Sequence, residues 1–86
     1  MNKHDKALAR LMELPSDFTY REAVAVLAHL GFREVRGGKT GGSRVRFQHD
    51  DGEQFRMHRP HPDDVLKGYV VAELAALVMR RSGNGD

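Results

Sequence analysis

Apolar residues recur along this chain with two different periods. In the first third and the last third they return every three or four positions, which is typical of helices with one buried side. Between these parts, the segments 43–48 and 54–58 alternate residue by residue, as strands with one solvated face do. A shorter strand is predicted over 32–36. The pattern therefore predicts the order helix, helix, three strands, helix.

Local signals bound the first two helices. The first is predicted over residues 3–14 and precedes a proline-containing break. Thr19 and Glu22 have the spacing of a capping box, in which each side chain accepts a backbone hydrogen bond from the other residue. Gly31 is predicted to end the second helix near residue 30 in a left-handed conformation.

The helical pattern of the last helix begins at Leu66, but Gly68 is a poor interior residue, so its regular part is predicted to begin near Tyr69. Its apolar positions at helical spacing include Leu66, Val70, Leu74 and Leu77. Asp63 or Asp64 is expected near its start, where the helix dipole favours an acid, and Arg80 and Arg81 are expected near its end. Residues 82–86 are predicted to form a frayed tail.

The two alternating strands are predicted to form a hairpin with the three-residue loop 50–52. A loop of this length with glycine at its left-handed position fixes which residues face each other. The predicted cross-strand neighbours are Phe47 with Phe55 and Val45 with Met57 on one face, and Arg46 with Arg56 and Arg44 with His58 on the other. Like charges directly opposite each other destabilise a sheet, so a face that keeps them is predicted to bind an anion.

The predicted fold is α+β. Helices cover one face of a three-stranded antiparallel sheet, in the order α-α-β-β-β-α. With 86 residues, the chain is expected to form one domain over 1–86. Residues 17–80 are its core, and the first helix is an N-terminal extension.

Composition excludes several classes of protein. The chain has no cysteine, which excludes disulfides and thiolate metal sites and favours a reducing, cytoplasmic location. No apolar run approaches the length of a membrane span, and the charged N-terminus lacks the apolar core of a signal peptide.

Positive charge is concentrated although the net charge is only +2. Between residues 33 and 49 the cations are Arg33, Arg36, Lys39, Arg44 and Arg46, and the only acid is Glu34. Arginine matches phosphate oxygens well, so RNA or an acidic partner is favoured over a membrane. A solvated charged surface without a ligand is the alternative interpretation.

Two segments carry further candidate chemistry. Residues 37–42 contain four glycines and either cradle a phosphate through backbone amides or form a plain flexible loop. His58 and His61 have the spacing of a metal-binding pair. However, Pro60 and Pro62 exclude a helical arrangement and no third ligand is evident, so neither a metal nor another cofactor is expected.

An ordered set of short motifs resembles the HicA toxins of bacterial toxin–antitoxin pairs. The motifs are Phe18-Thr19, Leu30-Gly31-Phe32, Gly37-Gly38-Lys39-Thr40, Gly42-Ser43-Arg44-Val45-Arg46-Phe47, His58-Arg59-Pro60-His61-Pro62 and Leu66-Lys67. The resemblance covers residues 17–77. It implies a fold like the double-stranded RNA-binding domain, cleavage of mRNA without a metal, and neutralisation by a HicB antitoxin that binds the toxin.

The chain departs from this family at one position. The family's usual catalytic histidine follows the Gly-Ser pair on the second strand, and here that residue is Arg44. Our hypothesis is that His58, its predicted cross-strand neighbour, transfers the proton while Arg44 stabilises the phosphate. His61 is the second catalytic candidate, as the acid.

The leading functional prediction is a toxin-type mRNA interferase, a metal-independent ribonuclease that a HicB-like antitoxin neutralises. The residues predicted to bind RNA are Lys39, Ser43, Arg44, Arg46 and Arg56. The alternatives are a non-catalytic RNA-binding module or regulator, which the arginine at position 44 favours, and a protein-interaction domain with a basic face.

Overall fold

The order of elements predicted from the hydrophobic pattern is the one found. A computed structural model of the protein describes residues 3–35, 44–60 and 63–83. Its elements are α1 (Lys3–Met12), α2 (Tyr20–His29), β1 (Phe32–Val35), β2 (Arg44–His49), β3 (Gln54–His58) and α3 (Gly68–Gly83). The predicted α+β class is therefore confirmed. The predicted site residues Lys39, Ser43 and His61 and the glycine-rich segment 37–42 lie outside the described residues.

The three strands form an antiparallel sheet in the order β1-β2-β3. The predicted hairpin register is confirmed, with Arg44 opposite His58, Arg46 opposite Arg56 and Phe47 opposite Phe55. The loop has three residues, because the His49 N–H donates to the Glu53 carbonyl oxygen at 2.9 Å. Gly52 closes it with a φ of 98°, in the left-handed region that glycine adopts without strain.

One face of the sheet packs against the helices. The strands contribute Phe32, Phe47 and Met57 to the core, and each is at most 3% exposed. The helices and their approaches contribute the other large buried side chains, among them Leu11, Phe18, Leu27, Val71 and Leu74. A single hydrophobic cluster thus joins all three helices to the sheet.

The predicted capping box at the start of α2 is present and is extended by an arginine. The Thr19 hydroxyl accepts from the Glu22 N–H at 3.1 Å, and Glu22 accepts from the Thr19 N–H at 2.9 Å. Arg10 of α1 donates to both carboxylate oxygens of Glu22, at 2.9 and 3.0 Å, and also to Asp17 at 3.0 Å. The hydrogen bond from Arg10 is the main reason that the pKa of Glu22 falls from 4.5 to about 2.

One of the two acidic residues before α3, Asp64, contacts the start of α2 rather than the start of α3. The carboxylate of Asp64 accepts from the Arg21 N–H at 3.3 Å, and its carbonyl oxygen accepts from the Tyr20 N–H at 2.7 Å. α3 itself has no acid in its first turn. Asp64 lies at the start of α2 because its neighbour Val65 pairs antiparallel with Thr19.

The first helix ends two residues earlier than predicted. α1 stops at Met12, and Leu14 takes a left-handed φ of 52°. The following residue is Pro15, which disfavours helical geometry in the residue before it. The chain therefore turns out of the helix before it reaches the proline.

The last helix extends into the segment predicted as a frayed tail. α3 continues to Gly83, and only residues 84–86 of that segment lie outside the described residues. Its last turn is anchored to the hairpin loop, because Arg80 and Arg81 both pair with Glu53 and Arg81 also donates to Asp51 at 3.0 Å. Long-range ion pairs of this kind leave no signal in the helical periodicity.

Glu22→Gln is expected to reduce the loss of stability in acid. The carboxyl binds its proton more weakly in the folded chain, so its contribution is complete above about pH 4.5 and is lost as the pH falls towards about 2. The pKa shift sets an upper bound of about 3 kcal/mol on the free energy that the Glu22 carboxylate contributes to folding. Since the side chain is 32% exposed, we expect about 1–2 kcal/mol. Urea denaturation at several pH values between about 6 and about 2 measures this loss of unfolding free energy in the variant and the wild type.

Glutamine at this position still permits the capping box, so the variant isolates the charge. Glu73→Gln, which removes an exposed carboxylate from α3, is the matched control. An acid transition of Glu22→Gln that is as large as that of the wild type would contradict the assignment.

Gly31→Ala is expected to destabilise the fold more than Gly52→Ala. Both glycines have a φ of 98°, so alanine costs about 1–2 kcal/mol at either position. At Gly31 the new Cβ would also lie 2.9 Å from Nε2 of His49, whereas at Gly52 it would meet nothing within 4 Å. The His49 ring packs edge-on against Phe32, so it cannot move aside freely. Equal free energies of unfolding for the two variants, from urea titrations, would refute this explanation.

Candidate nucleic-acid interface

The face of the sheet that points away from the helices carries three of the predicted RNA-binding residues, Arg44, Arg46 and Arg56. Because paired residues share a face, the register places eight described residues on this surface, which we call the open face: Arg33, Val35, Arg44, Arg46, Gln48, Gln54, Arg56 and His58. Four of them are arginines and none is acidic. The prediction that Arg44, Arg46, Arg56 and His58 lie together is confirmed.

These residues form three rows across the strands. The first row contains Arg44 and His58. The second contains Val35, Arg46 and Arg56, and the third contains Arg33, Gln48 and Gln54. Directly opposite Cβ atoms in such a sheet are about 5 Å apart. The first row thus sets an imidazole beside a fixed cation.

Local packing differs between the arginines of the open face. Arg44 and Arg56 are exposed, whereas Arg46 on the central strand is half-buried. Arg56 donates to the Gln54 side-chain oxygen at 3.0 Å, which orients its guanidinium along β3. The Arg46 Nε is fully shielded from water, and no acceptor for it exists among the residues that the structure describes. An unsatisfied buried N–H of this kind costs about 1–3 kcal/mol.

Two groups of arginines are distinct among the described residues. Arg10, Arg80 and Arg81 pair with carboxylates and hold elements of the fold together. On the open face, by contrast, Arg44, Arg46 and Arg56 form no ion pair with any described residue; the face's remaining arginine, Arg33, pairs with Asp50 at 3.1 Å. The free charge is therefore concentrated in the first two rows.

Besides Val35, sequence reasoning left three polar members of the open face out of the predicted site. These are Arg33, Gln48 and Gln54, which form the third row. The alternation of β1 carried a usable signal, since Phe32 is buried and Arg33 must then face the opposite side. The two glutamines alternate with apolar neighbours in the same way.

Two other kinds of site were looked for. Among residues 3–35, 44–60 and 63–83, no group of three or more histidine, cysteine, aspartate or glutamate side chains is placed to hold a metal ion. In the same segments, no helix is long and apolar enough to cross a membrane.

The fold and the basic face define a small α+β domain with a cationic surface, on which Arg44, Arg46 and Arg56 have no ion-pair partner among the described residues. The model of the family described as HicA toxin of bacterial toxin–antitoxin matches residues 20–83, from the start of α2 to the end of α3. The chain therefore belongs to the HicA toxin family. It is a toxin-type protein of a toxin–antitoxin system, a class in which a cognate antitoxin is the partner.

Two further comparisons add no relatives. No curated protein and no solved structure is similar enough to the chain to count as a match. The helix α1 lies outside the family match, although Leu11 from this helix is fully buried in the core.

Arg56→Gln is expected to stabilise the free protein. The substitution removes a like-charge pair with Arg46, and such pairs cost about 0.2–1 kcal/mol. The gain should be larger at low salt than at high salt, because salt screens repulsion between exposed charges. Urea denaturation at both salt concentrations measures it.

Arg44→Gln is the matched control, because Arg44 lies opposite His58 rather than opposite an arginine. It is expected to give a smaller gain. If Arg56→Gln is no more stable than the wild type at low salt, the pair is not repulsive in the folded protein.

Proposed function

We propose that this protein is a toxin-type mRNA interferase, an RNA-binding endoribonuclease that acts without a metal and is neutralised by a HicB-like antitoxin. The observation that carries the proposal is the first row of the open face, where His58 and Arg44 are direct cross-strand neighbours. Membership of the HicA family supports the toxin role. The absence of metal from the reaction is taken from the resemblance described above.

Cleavage of RNA by this route needs three contributions. A base removes the proton from the ribose 2′-hydroxyl, whose oxygen then attacks the phosphorus. The bond from phosphorus to the 5′-oxygen breaks, and that oxygen takes up a proton. Fixed positive charge stabilises the extra negative charge on the phosphate oxygens in the transition state. The products are a 2′,3′-cyclic phosphate and a 5′-hydroxyl end.

The residues of the first row have the chemistry for two of these contributions. His58 is exposed and is our candidate for the proton transfer from the 2′-hydroxyl. Arg44 stands where the family usually has its histidine and supplies the fixed charge. His61 is our candidate for the acid that protonates the leaving oxygen; it lies outside the described residues, as do the proposed RNA contacts Lys39 and Ser43.

The arginine at position 44 also favours a second function. With arginine at residue 44, the chain has lost the family's usual proton-transfer group. A non-catalytic RNA-binding module or regulator would need only the cations of the open face. A domain that docks an acidic protein is the third possibility, and it predicts that RNA binding is weak and that the partner, rather than salt, governs the solubility of the protein.

Purified protein should cleave end-labelled structured RNA in the presence of a chelator. His58→Ala is expected to lower the cleavage rate about 100-fold or more, the range found for general acid–base groups. His29→Ala, which removes an exposed histidine at the end of α2, is the matched control and should leave the rate unchanged. Gel analysis of the fragments, with circular dichroism to check folding, measures both.

The outcomes separate the functions. Cleavage that survives His58→Ala would reject the relocated histidine while keeping the ribonuclease. Steeply salt-dependent binding without cleavage by any variant would make the protein an RNA-binding module. In the double variant Arg44→His with His58→Ala, a partial return of cleavage would show that the two positions of the first row can exchange the proton-transfer role.

A further inference from the structure

We infer that the open face binds two neighbouring phosphates of one RNA strand, the scissile phosphate in the first row and the adjacent phosphate between Arg46 and Arg56 in the second. The inference rests on the proposed function and goes beyond it by assigning a separate, non-reacting phosphate subsite. It follows from three observations: the unsatisfied Nε of Arg46, the distance between the rows, and a third row without an unpaired cation among the described residues.

Arg46 is the first observation. Its half-buried side chain lies on the central strand between Val35 and Arg56. The Nε is shielded from water and lacks an acceptor among the described residues. Nε and a terminal nitrogen form the fork through which arginine holds a phosphate with two parallel hydrogen bonds. An atom that is shielded from water is also shielded from a phosphate oxygen, so Arg46 must change rotamer before its Nε–H can donate to a phosphate. This change would remove the cost of a donor that no described part of the free protein satisfies.

Arg56 completes the subsite from the neighbouring strand. It is directly opposite Arg46 and is oriented by its hydrogen bond to Gln54 at 3.0 Å. The two guanidinium groups repel each other in the free protein. A phosphodiester monoanion bound between them converts this repulsion into two favourable ion pairs.

The spacing of the rows is the second observation. Rows on one face are two residues apart, and a strand rises about 3.3 Å per residue, which separates the first and second rows by about 7 Å. This separation is comparable to the distance between neighbouring phosphates on a nucleic-acid strand. A strand lying along β2 and β3 with one phosphate beside His58 therefore brings the next phosphate to Arg46.

The third row marks where the binding of phosphates stops. Gln48 and Gln54 are neutral, and Arg33 is already paired with Asp50 at 3.1 Å. A third phosphate would find no free cation among the described residues of the open face. The inference thus specifies a number of phosphates as well as a position.

Short oligonucleotides of increasing length test the number. A dinucleoside, a trinucleoside and a tetranucleoside carry one, two and three phosphates, and a 2′-deoxyribose on the 5′ side of each phosphate prevents cleavage. Affinity for the 86-residue chain, followed by NMR through the arginine Nε–H signals, should rise about tenfold from one phosphate to two. It should rise much less from two to three. Equal steps would overturn the inference.

Arg46→Gln should remove the gain from the second phosphate. Arg46→Lys keeps the charge without the fork and should retain part of that gain. Arg80→Gln is the charge-matched control from the end of α3, and its two-phosphate gain should equal that of the wild type. Amide spectra of each variant confirm the fold. A gain that persists in Arg46→Gln, or that falls equally in Arg80→Gln, would reject the subsite.

The test also separates this inference from the proposed function. A protein that shows the two-phosphate gain but never cleaves RNA keeps the subsite and loses the ribonuclease. A protein that binds none of the oligonucleotides, and whose arginine signals respond instead to a glutamate-rich peptide, loses the subsite. Its open face would then be assigned to an acidic protein partner.

Discussion

The three-residue turn between β2 and β3 determines on which side every side chain of the hairpin lies. Gly52 allows this turn because it adopts a φ of 98°. A turn shorter or longer by one residue would shift the pairing by one, and Phe47 would then face a polar residue of β3. The hydrophobic core and the basic surface are two results of the same register, so neither could change without the other.

Local sequence patterns were sufficient to predict much of the fold. The alternation of β2 and β3 and the length of their loop were sufficient to predict the register of the hairpin. Thr19 and Glu22 were sufficient to predict the start of α2. The parts that were missed depend on contacts between distant residues. Asp64 caps α2 instead of α3 because Val65 pairs with Thr19, a bridge across more than forty residues.

The candidate site was predicted in the same partial way. The first two rows follow from sequence periodicity, because charged residues at alternate positions must share a face. The unsatisfied Nε of Arg46 could not be foreseen, since it depends on how neighbouring strands and side chains shield one atom. The same holds for the anchoring of Arg80 and Arg81 to the hairpin loop, which separates structural arginines from those left free.

Acidic residues in and beside the hairpin loop also make the electrostatic potential differ between the two ends of the strands. Asp50, Asp51 and Glu53 lie at one end and neutralise nearby arginines. At the other end, Arg44 and His58 have no acidic neighbour on the open face among the described residues. The electrostatic potential should therefore increase along β2 away from the loop. An approaching polyanion would be drawn to the histidine end before it makes any contact, so the protein orients its ligand during diffusion.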